Sequence, residues 1–234
     1  MTTTRHLSQS QLDNPAWSAL TTKQAHLGQA GGLAVRYHPD VSPFAGLSHP
    51  TLEAFQHLRL LIPQGGHVLL QTVEPLPQME GVHVENLFAV RQMVDIGEVR
   101  GVVEDAVLRL GAADVHAMME LAVETKPGPF GTRTHETGNY IGIRHDGHLV
   151  AMAGERMQCD GYTEISAVCV TARHRGKGIA GRLMNILRRE IRGRGNVPFL
   201  HVRDDNSTAI SLYANQGFET RQMFHLYRLS LTGI

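Results

Sequence analysis

The stretch RHRGKGIAGRLMNILRRE, Arg173 to Glu190, constrains the fold of this chain more than any other. Its later part is an amphipathic helix, with Ile179, Leu183, Ile186, Leu187 and Ile191 recurring on one face. Its earlier part sets Gly176 and Gly178 among Arg173, Arg175 and Lys177. That is the helix end whose free N–H groups already carry partial positive charge, and it ordinarily attracts acids. Cations there point to a negative group from outside the protein; the plainer alternative is a basic, solvated turn. The apolar run EISAVCVT before the loop reads as a strand, so a strand must pass through a glycine turn into a helix.

With 234 residues, the chain can form one large domain or two small ones. Its 22 Lys+Arg balance 22 Asp+Glu, so no global basic field favours nucleic acid or an anionic membrane, and the cations around 173–194 suit a small anion. Two cysteines, Cys159 and Cys169, are too few for a disulfide framework and suit a reducing compartment. No signal-like apolar segment opens the chain and no 18-residue apolar run occurs, so the expected location is cytoplasmic, without a membrane span. The 14 histidines show no metal-binding spacing, so no metal is expected.

The two halves differ in texture. In the first, HPTLEAFQHLRLLIP has helical spacing ending before Pro63, and GGHVLLQTV and GVHVENLFAVRQMV read as extended. A boundary is expected near MVDIGEVRGVVED, giving units 1–98 and 99–234. Beyond it come a strand in VVEDAVLRL, a helix in AADVHAMMELAVETKPG and a hairpin turning at Asp146-Gly147. The strand–loop–helix unit follows, then a strand VPFLHVR, a short helix STAISLYANQGF, and MFHLYRLSL, expected to close the sheet. This is a mixed α/β layer rather than a regular βα alternation.

GKGIAG literally satisfies the dinucleotide fingerprint G-x-G-x-x-G, but a hairpin precedes its strand and only about fifty residues follow, too few for the parallel unit. A third reading uses more of the chain. Arg173-x-x-Gly176-x-Gly178, and Arg175-x-x-Gly178-x-Ala180 one register later, resemble the pyrophosphate loop of the GNAT superfamily of acyl-CoA N-acyltransferases. EISAVCVT before the loop and DDNSTAISLYANQGFE after the next strand resemble that family's two cofactor segments, in order. The likeness covers residues 100–234 and is similar to the FR47-like branch, which includes glycine N-acyltransferase. Ala172 stands where many relatives carry proline. The first hundred residues show no second loop; by analogy they are a divergent, degenerate companion domain.

The resemblance implies the GNAT fold, a mostly antiparallel mixed sheet flanked by helices, and acetyl-CoA or another acyl-CoA as co-substrate. It implies a diphosphate on the amides of residues 175–180, including Ile179, and a pantetheine arm along Val168, Cys169 and Val170. An N–H of that strand would polarise the thioester carbonyl. The acceptor would be a small-molecule amine or amino acid, and the resemblance admits a homodimer.

Candidate bases are Glu164, which aligns with the family's glutamate, and His201 on the next strand. Strict alternation puts Glu164 and Val168 on one face. Glu164 could equally be an exposed strand-end carboxylate. Tyr213 matches the family's general acid, and Asn206 would hydrogen-bond the cofactor. Cys169, in an apolar strand, reads as a small hydrophobe. A non-catalytic acyl-CoA-binding module is the alternative.

Overall fold

The structure, a computed structural model, describes residues 9–99 and 106–232. The expected hairpin is present: Tyr140–His145 (β7) pairs antiparallel with His148–Cys159 (β8). Asp146 (φ 49°) and Gly147 (φ 80°) supply the left-handed backbone that a two-residue turn requires. Ahead of it lie Leu108–Leu110 (β6) and Val115–Thr125 (α3), the helix ending on left-handed Lys126 before Pro127. The earlier part of the strand expected in VVEDAVLRL, and the end of the boundary segment, fall on 100–105, outside the described residues. After the hairpin come Tyr162–Val170 (β9), Ile179–Gly193 (α4), Val197–Arg203 (β10), Ser207–Asn215 (α5) and Phe218–Leu231 (β11).

The first half is more regular than its sequence suggests. It contains Pro15–Leu20 (α1), Gly28–Gly31 (β1), Ala34–Tyr37 (β2), Phe44–Leu47 (β3), Leu52–Leu61 (α2), His67–Thr72 (β4) and Val82–Asp95 (β5). The strands form one sheet in the order β1-β2-β3-β4-β11-β5-β10-β9-β8-β7-β6. The fold is therefore mixed α/β, with a mostly antiparallel sheet flanked by helices. β11 does not close an edge. It lies mid-sheet between β4 and β5, because β5 has taken the place beside β10.

The halves repeat one pattern. β1-β2-β3 are antiparallel neighbours, and α2 carries the chain from β3 to a parallel β4. Likewise β7-β8-β9 are antiparallel neighbours, and α4 carries the chain from β9 to a parallel β10. Strands from both sides of residue 99 then interleave as β4-β11-β5-β10.

Alternation along the strands sorts the helices. On β4, Leu69 packs with α1 and Leu70 with α2; on β5, Val94 packs with α1 and Met93 with α4. Thus α2 and α4 share one face and α1 lies on the other. Ion pairs tie α4 to the first half: Arg188, buried on the helix, holds Asp95 of β5 through two hydrogen bonds of 2.7 and 2.9 Å, and Arg192 Nη2 lies 3.0 Å from the same carboxylate.

Candidate active site

The glycine loop adopts the conformation its sequence demands. Gly176 (φ 76°) and Gly178 (φ 73°) are left-handed, which side chains resist, and a Cβ built on either meets no atom within 4 Å. The space above the loop is open. α4 starts with no side-chain cap and no acid in its first turn, so its amides are left for an external acceptor. Arg175 donates from Nε to the Val170 carbonyl at 3.1 Å, tying the loop to the end of β9, while Arg173 and Lys177 are exposed. Ile179 and Ala180 open the helix and pack against the core beneath. Gly181 has a different use: a Cβ there would lie 2.8 Å from Gln216 Nε2, which bonds the Gly181 carbonyl where α5 docks on α4.

A cleft opens beside the loop. β9 and β10 pair only from Tyr162 to Glu164 against Val197 to Phe199, and beyond that point the parallel strands part. β10 keeps β5 as its other neighbour and β9 keeps β8, so each parting strand presents one open edge to the gap. Val168, Cys169 and Val170 lie on that stretch.

The pairing of β8 with β9 skips a residue there. Met152 faces Cys169 and Gly154 faces Ser166, so Ala167 and Val168 together oppose Ala153. Ala167 is left-handed (φ 53°), the mark of a β-bulge, and a bulge leaves one residue outside the ladder. The bulge also corrects the expected alternation. Ile165, Val168 and Val170 pack on the α4 side, whereas Ala167 and Cys169 pack with α3 on the other. Glu164, one residue before Ile165, therefore faces away from Val168. Burial pushes the Cys169 thiol up to about 11, which fits a packing residue.

Glu164 is not an exposed strand-end acid. Its side chain is fully buried, and Arg156 grips it with Nε at 2.9 Å and Nη2 at 2.5 Å. His201 Nδ1 lies 2.7 Å from the same carboxylate. Burial opposes its charge, but Arg156 and then His201 outweigh that and hold the carboxyl at about 2. Beyond His201 stands Gln92 of β5. Its Oε1 accepts from Arg221 at 2.9 Å, so its Nε2 is the atom bonded to the Leu12 carbonyl at 2.8 Å and facing His201 Nε2 at 3.2 Å. That orientation makes His201 Nε2 an acceptor and puts the ring proton on Nδ1, toward Glu164. Both candidate bases thus belong to one buried network joining the two halves.

Tyr213 lies on α5, its ring 6.2 Å from that of Phe218. Burial pushes its phenol up to about 12, so the hydroxyl keeps its proton at neutral pH. Asn206 caps α5, its Oδ1 accepting from Ala209 N at 3.1 Å, and its Nδ2 makes none of the described hydrogen bonds.

The family model described as FR47-like protein matches residues 140–229, which span the hairpin, cleft, loop and α5. The solved structure of a GNAT-family protein from Novosphingobium aromaticivorans is 34% identical, covering 95% of this chain and 99% of that one, with a TM-score of 0.88. The chain belongs to the GNAT family. Another GNAT structure, the GCN5-related N-acetyltransferase of Kribbella flavida, is 17% identical at a TM-score of 0.61 over 93% of this chain and 94% of that one, a likeness of fold. N-alpha-acetyltransferase RimI of Mycobacterium tuberculosis is 37% identical over 89 residues, 35% of this GNAT chain and 52% of RimI. The chain therefore spans about half the length of that curated relative.

Among the described residues no helix is long and apolar enough to cross a membrane, and no cluster of three or more His, Cys, Asp or Glu side chains could hold a metal. Sequence reasoning missed Arg156, Gln92 and the Ala167 bulge. Arg156 follows Glu155 in a largely apolar strand, and that charged pair was the available signal. Gln92 and the bulge leave no local trace.

Proposed function

We propose that this chain transfers an acetyl or other short acyl group from acyl-CoA to the amine of a small molecule or amino acid, within a ternary complex. The observation that carries the reading is the conjunction of a strand split and an uncapped glycine-lined helix start. β9 parts from β10 after Glu164 and runs on to Val170, ahead of the loop with left-handed Gly176 and Gly178. An amide-rich arm suits the open strand edges, and a diphosphate suits the amides of residues 175–180, with Arg173, Arg175 and Lys177 adding charge and the Asn206 amide a donor. An amide of the Ala167–Val168 bulge is the donor we assign to the developing oxyanion.

Attack by the amine on the thioester carbon forms the new C–N bond, and the C–S bond breaks as the thiolate leaves. Tyr213, half-buried and with its phenol raised to about 12, is the group we assign to hand that thiolate a proton. For the amine's proton we favour His201 over Glu164. The carboxylate, held at about 2 and closed by Arg156, is a poor acceptor, whereas the imidazole Nε2 lone pair is engaged by the neutral Gln92 amide, a partner that the amine would have to replace. Glu164 then orients the ring, as a carboxylate does in a catalytic dyad. Residues 1–98 we read as a degenerate copy of the acyltransferase unit, since they repeat its strand–helix–strand order.

Purified protein given acetyl-CoA and a panel of amines and amino acids should release free thiol stoichiometric with acylated amine. Calorimetric binding of CoA with no turnover of any amine would instead favour a non-catalytic binding module. A rise in melting temperature with a nicotinamide dinucleotide but not with CoA would overturn the cofactor assignment.

A further inference from the structure

β11 carries a bulge beside the buried network. Thr220 faces Met93 of β5 and Gln222 faces Gln92, so Arg221 between them has no partner in the ladder. Such a bulge turns a side chain off the regular alternation. Arg221 reaches over the α1 face of the sheet, where its Nη1 donates to Gln92 Oε1 at 2.9 Å. The same guanidinium holds the turn Gln9–Leu12 that precedes α1. Its Nε donates to Gln9 Oε1 at 3.0 Å, and its Nη2 donates to the Gln9 carbonyl at 3.1 Å and to Asp13 Oδ1.

Those contacts fix both ends of the Gln92 amide. Arg221 takes its oxygen, and one hydrogen of its nitrogen goes to the Leu12 carbonyl at 2.8 Å, at the end of the turn that Arg221 pins. One amide hydrogen is left, and His201 Nε2 lies 3.2 Å from that nitrogen. Turned over, the fully buried amide would set its oxygen against the Leu12 carbonyl and its hydrogens against a guanidinium. The amide at Nε2 opposes the carboxylate at Nδ1. Glu164 alone favours a doubly protonated ring, whereas an N–H donor at Nε2 favours the neutral one. Arg156 stands behind Glu164, and Tyr37 and Cys159 beside it are kept neutral by burial. The rings of Phe199 and Phe224 pack edge-on against the imidazole.

We propose that Gln92 and Arg221 are positioning residues for the base: they hold His201 in its Nδ1–H form and keep at Nε2 an N–H donor whose place the acceptor amine takes. Gln9, Leu12, Asp13 and Gln92 all belong to the first half of the chain, so that half sets the state of a base carried by the second. The inference rests on the reading of His201 as the base for its effect on rate; its effect on the ring is independent of that reading.

Long-range proton–nitrogen correlation spectra of the isotope-labelled full chain at pH 7, without ligand, test the ring directly. The His201 signals are assigned by their proximity to the Phe199 and Phe224 rings. The wild type should carry the ring proton on Nδ1 and leave Nε2 bare. Gln92→Glu puts an acceptor where the donor was, and the share of rings protonated at Nε2 should rise at least tenfold. Arg221→Met frees the amide oxygen and the turn together, and that share should rise at least threefold. In any acylation that the wild type performs, Gln92→Glu should lower kcat at least tenfold while KM for acetyl-CoA stays within twofold. A wild-type ring protonated on Nε2, a ring unchanged in both variants, or a ring that responds while kcat does not, would each overturn the inference. If no amine is acylated while the ring responds as stated, the proposed function fails and the hold on the ring stands.

Discussion

α2 and α4 occupy the same place in the same local topology, and their first turns are opposites. α4 begins at two left-handed glycines, with cations around it and neither cap nor acid. α2 begins at Thr51, which caps it, followed by Glu53. One start is completed by the chain itself and the other is not, and it is there that we propose an anion. A strand–helix–strand unit with a split beside it does not by itself make a phosphate site; the first turn decides. β3 and β4 also part, beyond Ala45 and Leu70, and the two splits differ in the same sense, the one beside α4 rimmed by cations and the one beside α2 by glutamates.

The sharpest way to break this comparison is to cut the network that joins the halves. Glu164→Gln leaves Arg156 buried with a neutral partner, and loss of such a pairing costs about 3–5 kcal/mol. Chemical denaturation at pH 7 should show it. The sign of the pH dependence follows from the depressed carboxyl. Its contribution is complete above the unfolded value near 4.5 and is lost as pH falls toward the folded value of about 2. The wild type should therefore lose stability through that window, and Glu164→Gln should flatten the loss. A variant that folds like the wild type and transfers no acyl group, while His201→Gln keeps full activity, would return Glu164 to the role of base.

The next largest effect concerns α5, which the first half lacks, since β4 passes to β5 without a helix. Tyr213→Phe keeps the ring against Phe218 and removes the proton donor. Turnover should fall about a hundredfold with KM for acyl-CoA little changed. With the phenol at about 12, no loss of activity from its ionisation should appear below about pH 10.

Gly178→Val addresses the loop itself. A β-branched residue at φ 73° stores about 1–3 kcal/mol of strain and moves the amides around it. Loss of one phosphate–amide hydrogen bond, worth about 1.5–3 kcal/mol, should weaken CoA roughly tenfold to a hundredfold by calorimetry.

How legible all this was depended on the range of each cause. The hairpin at Asp146-Gly147, the helix after Gly178 and the end of α3 at Lys126 were readable because a few adjacent residues set them. The place of β11 was not readable: MFHLYRLSL looks like any terminal strand, and only a partner over a hundred residues away, β5, puts it mid-sheet. Glu164 was located but its surroundings were not, because Arg156, His201 and Gln92 arrive from three other strands. The Ala167 bulge reversed the face assigned to Val168, and alternation cannot foresee a skipped residue. α1 and β1–β3 escaped notice because each is only four to six residues long, below the length at which a period declares itself.

The smallest effect closes the comparison from the α2 side. Thr51→Ala removes the Oγ1 that accepts from Ala54 N, and loss of an N-cap costs about 1 kcal/mol. The melting temperature should drop by a few degrees, CoA affinity should not change, and the variant should not gain a CoA site at α2, because Glu53 still opposes a diphosphate. Adding Glu53→Lys tests the rest of the argument. If capping and charge are what separate the two starts, the double variant should bind inorganic pyrophosphate weakly at α2, detectable by titration once Gly178→Val has weakened the α4 site. If it does not, the open glycine backbone of residues 176–178 is indispensable, and uncapping with charge reversal cannot replace it.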